Sequence, residues 1–377
     1  MCVLFSIPVF IVATLTLLAL YCLRHVKYSI PSNCTNNSFN PSLSILKPLL
    51  GEIPGLRENL ESFFTQNYEN YEIIFCLRSE KDPALKIARE VIAEHPDVRS
   101  LLVIGDGKYG FNPKVNNLMS GYEKISSELV LISDADVFVD KDYLRKLTSY
   151  FENPSVGLVS NLIRCEGGNS LGALLENLYL NSFIALGISA LYVLFRHPCV
   201  IGKSMIFRKR DFDRFGGFDY LKNYLAEDYL TGMAFKKMGR EVILSGIAVG
   251  SNTSNRTLKV FFNRNLRWTI MRFKMIGVGF LLDLLINPLF FAIAYLTLCF
   301  GKTSLSVFAG VLIFKTFVDV SARILLGTRR NLSSCILSPI KDFIVTLIWF
   351  VPFFKDTAEW GGRRFKIKSK TEIFPID

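Results

Sequence analysis

Two carboxylates two residues apart, Asp134 and Asp136, close the short apolar run Leu129–Ser133. On a strand, side chains at i and i+2 share a face, so both leave its C-terminal edge together. Hard oxygen ligands of this kind suit Mg²⁺ or Mn²⁺, which keeps some water and completes its shell with phosphate oxygens. The same triplet also merely ends strands and caps helices. A second acidic pair, Glu227-Asp228, follows a loop rich in glycine and aromatics (214–225) and opens the helix-like segment 229–238. An aspartate there is an ordinary cap; beside a metal and a diphosphate it is also placed to take a proton from an alcohol. Arg264, Arg267 and Trp268 lie about one helical turn apart, just before an apolar run. Such clusters anchor helices at membrane edges, and two guanidiniums with an indole equally suit phosphate oxygens beside an apolar acceptor. Only His25, His95 and His197 are present, far apart and without a motif. Acid-base work therefore falls on carboxylates.

Short apolar, partly β-branched segments must position these groups. Residues 43–50, 71–78, 100–105, 128–133 and 156–163 read as strands, and 55–67, 83–94, 113–126 and 140–151 have helical spacing. Alternation of strand and helix predicts an α/β fold with right-handed crossovers and a mostly parallel sheet. Ligands bind such sheets beyond the C-terminal strand ends, where the acidic residues fall. Two nucleotide motifs mislead. Gly105, Gly107 and Gly110 form GxGxxG after the third strand instead of the first, and Asn112-Pro113 intervenes before any helix. Gly202-Lys203-Ser204 resembles the end of a P-loop, but its first required glycine would stand at His197.

Composition sets the surroundings. Half of the 377 residues are hydrophobic and 20% charged, with 32 Phe against 3 Trp, and mean hydropathy is +0.31. That excludes a disordered or fibrous chain and points to a membrane protein. The net charge of +11 favours anionic partners, but most basic residues flank apolar runs, so nucleic acid is not expected. Eight cysteines without CxxC pairs indicate neither a disulfide framework nor a zinc site. Residues 1–23 are uncharged and long enough to span. Arg24 and Lys27 follow, which predicts an uncleaved anchor with the chain after it in the cytoplasm. Apolar stretches at 275–300, 303–326 and 343–354 predict C-terminal membrane helices, with the third too short to span and a cytoplasmic basic tail over 357–377. Lys315, Asp319 and Arg323 recur every four residues, predicting a ladder of charges turned from lipid. The apolar run 178–195 is expected in the interface or core, since a crossing would separate carboxylates that share a site.

The combined order, Asp82, Asp-Ala-Asp, Glu-Asp, then Arg-x-x-Arg-Trp between an anchor and C-terminal helices, resembles the family 2/21 type of inverting glycosyltransferases. It is most similar to the ceramide glucosyltransferase family with its bacterial hopanoid-type relatives. SILKPLLGEIPGLRENLESFF (44–64) and NPKVNNLMSGYE (112–123) look like that family's own stretches, and the resemblance runs from about 43 to 275. It implies a GT-A type nucleotide-diphospho-sugar transferase domain over 43–272. It also implies Mg²⁺ or Mn²⁺ on Asp134 and Asp136, a UDP-sugar donor and a membrane lipid acceptor. Residue by residue, Asp82 is similar to the aspartate near uridine, Asp134 and Asp136 to the metal and sugar-diphosphate motif, and Asp228 to the catalytic base. Arg264, Arg267 and Trp268 are similar to the closing motif that engages diphosphate and acceptor; Lys114 and Asn116 match a stretch lining the donor pocket. Processive synthases usually carry Gln where Arg264 stands, which favours a single transfer to lipid. Glucose to a ceramide-type lipid is implied; transfer of N-acetylglucosamine to a hopanoid or other lipid, a processive polysaccharide synthase, and a non-catalytic membrane scaffold are the alternatives.

Overall fold

The structure is a computed structural model that describes residues 2–30, 39–105, 107–328 and 330–376; Cys34 and Asp106 lie outside the described residues. In chain order, α1 (Cys2–Tyr28) precedes β1 (Leu43–Pro48), α2 (Leu56–Phe64), β2 (Tyr71–Leu77), α3 (Ala84–Glu94), β3 (Ser100–Ile104), α4 (Pro113–Tyr122) and β4 (Leu129–Ser133). Then come β5 (Val137–Phe138), α5 (Tyr143–Thr148), β6 (Val156–Glu166), α6 (Leu171–Leu178), a π-helical stretch Tyr179–Ile184 and α7 (Ala185–Phe195). β7 (Ser204–Arg208), α8 (Lys209–Arg214), α9 (Gly217–Leu221), α10 (Glu227–Lys237) and β8 (Glu241–Asn252) complete the soluble part. The membrane part holds α11 (Leu258–Ile276), a 3₁₀ stretch Gly277–Ile286, α12 (Pro288–Leu298), α13 (Lys302–Leu326) and α14 (Ser338–Phe350); β9 (Thr357–Trp360), β10 (Arg363–Ile367) and β11 (Ile373–Pro375) end the chain.

The main sheet has the order β3-β2-β1-β4-β7-β6-β8-β5. β3, β2, β1 and β4 are parallel, each returning through a helix as the alternation predicts. Alternate residues face opposite layers. Leu43, Ile45, Phe75, Leu129 and Leu131 meet Phe63 and Ala88 of α2 and α3, while Leu46, Ile74, Val130 and Ile132 meet Val115 and Leu118 of α4. The expectation of a mostly parallel sheet is corrected beyond β4. β7 runs antiparallel to both β4 and β6, β6 and β8 are parallel, and β5 is an antiparallel edge. The physical reason is the connection. After β6 the chain leaves as one long helical segment, 171–195, and its return brings β7 back in the opposite sense.

Among the described residues, four helical segments are long and apolar enough to cross a membrane, at 4–28, 171–195, 302–326 and 332–353, and the pair 258–286 and 288–298, bent by 74°, makes a fifth if taken as one span. These long apolar helices mark an integral membrane protein. The segment 171–195 runs along the sheet. Asn181 both accepts from and donates to the backbone of Cys165 in β6, and Ala185 and Leu186 pack with Leu162, Leu244, Leu23 and Val26. α1 is seated on β8, where Lys27 donates to the carbonyl of Gly246 at 3.2 Å. A Cβ at Gly246 would stand 2.5 Å from the Lys27 carbonyl.

Two sequence expectations change: the third C-terminal apolar run is not confined to 343–354 but belongs to the helical segment 332–353, long enough to span, and the charge ladder is rebuilt. Lys315 pairs with Asp319 at 3.2 Å, but Arg323 leaves the ladder for the carbonyls of Arg330 and Asn331 and the hydroxyl of Ser334. Its place is taken from α14. Lys341 reaches Asp319 at 2.7 Å and Asp342 at 3.0 Å, and Lys315 reaches Asp342 at 3.3 Å. The basic tail is a three-stranded antiparallel sheet, ordered because Phe365, Ile367 and Ile373 bury against Leu225 and Ile270. Cys299 is disulfide-bonded, whereas Cys22, Cys76, Cys165, Cys199 and Cys335 are free.

Candidate functional site

Strands β2, β1 and β4 lie side by side and end at one edge. After β2, the carboxylate of Asp82 accepts from the amides of Gly51 at 3.0 Å and Ala84 at 2.9 Å. It caps α3 and fixes the loop after β1. After β4, Asp134 faces Lys114 of α4, Nζ to Oδ1 being 2.8 Å. That helix starts where it does because Asn112 accepts from the amides of Lys114 and Val115 with Pro113 in the first turn. Lys114 also donates to the carbonyl of Gly202 at 2.7 Å and lies 3.5 Å from Glu227. Gly202 in turn donates its amide to Asp228 Oδ2 at 2.7 Å, and Tyr229 donates to Oδ1 at 2.7 Å. A Cβ at Gly202 would meet Asp228 Oδ2 at 3.0 Å and Lys114 Nζ at 3.1 Å, so the approach needs glycine. The Gly-Lys-Ser run that fails as a P-loop is therefore the turn that joins the two acidic pairs.

Lys203 completes that turn by donating to both oxygens of Asp136, at 2.7 and 2.6 Å. Arg256 lies 3.4 Å from the same carboxylate and also binds Glu176, which accepts from Arg264 Nε at 2.9 Å. Arg264 lies over the indole of Trp268, 4.9 Å from its centroid, and Trp268 stacks on Tyr179. Arg267 covers Trp360 of β9 and donates to the carbonyl of Glu359 at 3.5 Å. The amide of Asn116 is spent on the glycine loop: it accepts from Gly110 and donates to the carbonyls of Gly107 and Gly110. The structure thus brings Lys114, Asp134, Asp136, Asp228 and Arg264 into one connected network, with Arg267 and Trp268 on the same helix. Asp82 and Asn116 hold the loops beside it.

Burial and charge divide the carboxylates. Burial pushes Glu227 up to about 7; Lys114 opposes the shift and Asp228 adds to it. Asp228 is raised as well, by burial, against the pull of Lys114 and the two amides. Asp136 goes the other way, to about 2, because Lys203, helped by Arg264 and Arg256, outweighs its burial. Lys114 stays cationic: burial lowers it, but Asp134 and Glu227 more than reverse that. Lys47 lies against the ring of Phe63 and donates to Ser133 and to the Asp134 carbonyl; burial brings it down to about 7. Glu176, Arg256 and Lys47 escape the sequence reading, which names Lys203 only in a failed P-loop and Glu227 only beside Asp228. One signal existed: Glu176 is the only charged residue between Glu166 and Arg196, and such a residue in an apolar run is costly unless it is used.

A divalent cation fits this edge chemically. Asp134 and Asp136 offer hard oxygens in the turn that follows β4, although Lys114 holds the first and Lys203 the second. No cluster of three His, Cys, Asp or Glu side chains suited to a metal occurs among the described residues. A bound ion would take its remaining ligands from water and phosphate, and Asp136 would have to exchange the Lys203 ammonium for it.

The C-terminal sheet bears on the site through Thr371, which accepts at its carbonyl from Leu225 (2.8 Å) and at its hydroxyl from Ala226 (3.2 Å), immediately before Glu227. Thr371 has φ 68°, an expensive conformation for a β-branched residue. Thr371→Val keeps the shape and leaves a buried amide unpaired, so thermal unfolding should show a loss of about 1–3 kcal/mol. An unchanged transition would remove Thr371 from this role.

Sheet core, acidic edge and flanking apolar helices together define a glycosyltransferase-like fold associated with membranes. The mannosyltransferase PcManGT of Pyrobaculum calidifontis, solved with GDP-Man and Mn²⁺, is similar with a TM-score of 0.53 over 93% of this chain and 99% of that one. At 16% identity the likeness is one of fold. Residues 6–373 match Glycosyl transferase family 21, and the chain belongs to that family. Among relatives, ceramide glucosyltransferase 1 of Caenorhabditis elegans is 32% identical over 239 residues, 62% of this chain and 50% of the relative. Ceramide glucosyltransferase 3 of the same organism is 30% identical over 266 residues, 70% and 57% respectively. The chain spans about half the length of the curated relatives it matches.

Proposed function

We propose that this chain is an inverting glycosyltransferase of GT-A type that moves a hexose, glucose in the first instance, from a UDP-sugar to the hydroxyl of a ceramide-type membrane lipid. The observation that carries the reading is the Gly202-Lys203 turn, which ties Asp228 to Asp136 through an amide and an ammonium. A proton acceptor and a diphosphate-side carboxylate are thereby held in one site. The lipid oxygen attacks the anomeric carbon, the bond to the diphosphate breaks with its electron pair on the leaving group, and the hydroxyl proton passes to Asp228. Asp134 and Asp136 would hold a divalent metal, which would supply neutralisation of the leaving diphosphate when bound. Arg264 and Arg267 bind its oxygens, and Lys114 fixes Asp134 relative to Asp228. No protein acid is needed, because the nucleotide leaves as an anion. Trp268, stacked on Tyr179 of the apolar segment, borders the acceptor.

The bilayer accounts for the rest. Arg24 and Lys27 at the sheet end of α1 support a cytoplasmic sheet by the positive-inside rule. Purified protein in detergent with Mn²⁺ or Mg²⁺, a panel of UDP-sugars and extracted lipids should give one glycolipid by mass spectrometry. A ladder of growing sugar chains would point to a processive synthase, and no transfer or hydrolysis from any donor would sink the enzyme reading.

The raised carboxylates predict the pH profile. A base works only when ionised, so activity should fall as pH drops through the titration of the Glu227–Asp228 pair. Because burial raises Asp228, the acid limb of kcat/KM should lie above the ordinary carboxylate range. A wild-type limb near 4 would contradict the pairing.

A further inference from the structure

Glu176 is a buried charge that the proposed chemistry does not use. It stands on α6 with its side chain fully buried. One oxygen, Oε1, serves both Arg256 Nη1 and Arg264 Nε, while Oε2 is buried with no hydrogen-bond partner. This is poor use of a carboxylate. A guanidinium and a carboxylate do best as a two-bond fork, and a buried charged oxygen left unpaired is costly. The neighbours show what is out of balance. Lys203, Asp136, Arg256, Glu176 and Arg264 alternate in sign and leave one positive charge over. Arg267 adds another; among the described residues it donates to the carbonyl of Glu359 and lies over Trp360 and makes no ion pair. Two excess cations converge where two guanidiniums share a single oxygen.

We propose that Glu176 is a positioning residue that holds Arg256 and Arg264 in the place of a nucleoside diphosphate and gives them up when that ligand arrives. The inference rests on the transferase reading above. Without Glu176 the two guanidiniums would repel each other and scatter. With it they wait in register, but the ligand must outcompete an internal anion. A diphosphate does so because it brings more charge and more acceptor oxygens than one half-used carboxylate. When the product diphosphate leaves, Glu176 takes the arginines back, which favours release. Its position one turn before the π-helical stretch and Tyr179 places this exchange beside the residue on which Trp268 stacks.

The sign of the effect separates this role from a structural one. A residue that only supports the site would weaken nucleotide binding when altered, whereas a competitor tightens it. Calorimetry of the full chain in detergent, with UDP as the probe, should show Glu176→Gln binding roughly threefold to tenfold tighter than wild type. Glu176→Asp, with shorter reach, should tighten binding to a smaller extent and stands in if the glutamine variant does not fold. In an Arg264→Ala background the gain should shrink. In turnover, donor KM and kcat should fall together in Glu176→Gln, as removal of a ground-state competitor and slower release require. If wild type binds UDP and both Glu176 variants bind it no more tightly, the proposal is overturned and the transferase reading stands. If wild type binds neither UDP nor GDP, both fall.

Discussion

Asp228→Asn should lower turnover by about 10²–10⁴-fold while leaving UDP bound at close to wild-type affinity. The split follows from where Asp228 stands. Its two oxygens accept from the amides of Gly202 and Tyr229 and touch none of the groups assigned to the diphosphate. Asparagine fills the same space but cannot take a proton from an attacking hydroxyl. It keeps one acceptor oxygen, so one of those two amides loses its partner, at a cost of about 1–3 kcal/mol. Unfolding of the variant must therefore be measured beside its kinetics. A folded variant with a few-fold loss would remove Asp228 as the base, and loss of UDP binding would mean that it serves the donor instead.

Lys341→Met should be the most damaging single change to stability, about 3–5 kcal/mol. Lys341, Lys315, Asp319 and Asp342 form a closed set of two positive and two negative charges, all buried, between α13 and α14. Lys341 also donates to Ser182 in the π-helical stretch at 2.9 Å, so it ties the membrane hairpin to the segment lying on the sheet. Methionine matches its bulk but leaves two buried carboxylates facing one ammonium. Replacing all four with apolar residues of similar volume should be far milder, because the desolvation cost leaves with the charges. Thermal unfolding of the two variants side by side checks this. A single variant within about 1 kcal/mol of wild type would mean that water or lipid headgroups reach the cluster.

The parallel half of the sheet was legible because its strands are continuous apolar runs separated by helical spacing, and β1, β2 and β4 carry that pattern at full burial. β7 was not. Ser204–Arg208 is a five-residue run between a helix and a loop, and nothing local to it specifies a direction. The acidic pairs were legible as residue types with a preferred chemistry. Their cationic partners were not, since Lys203 reaches Asp136 across 67 positions and Glu176 reaches Arg264 across 88. Asp82 and Asn116 show the converse. Both stand out in sequence, and in the fold their polar atoms hold loops.

By itself the sequence determined that this is a membrane protein, and it pointed to carboxylates for any acid-base chemistry. Apolar runs must find lipid or a core wherever the chain goes, and three scattered histidines leave carboxylates as the available acids and bases. Only the tertiary structure decided which charge answers which. It placed Lys114 among Asp134, Glu227 and Asp228, turned Arg323 away from its own helix to the loop beyond it, and set Glu176 between two arginines. Coulombic interaction depends on distance and burial, and neither is written in the order of the residues.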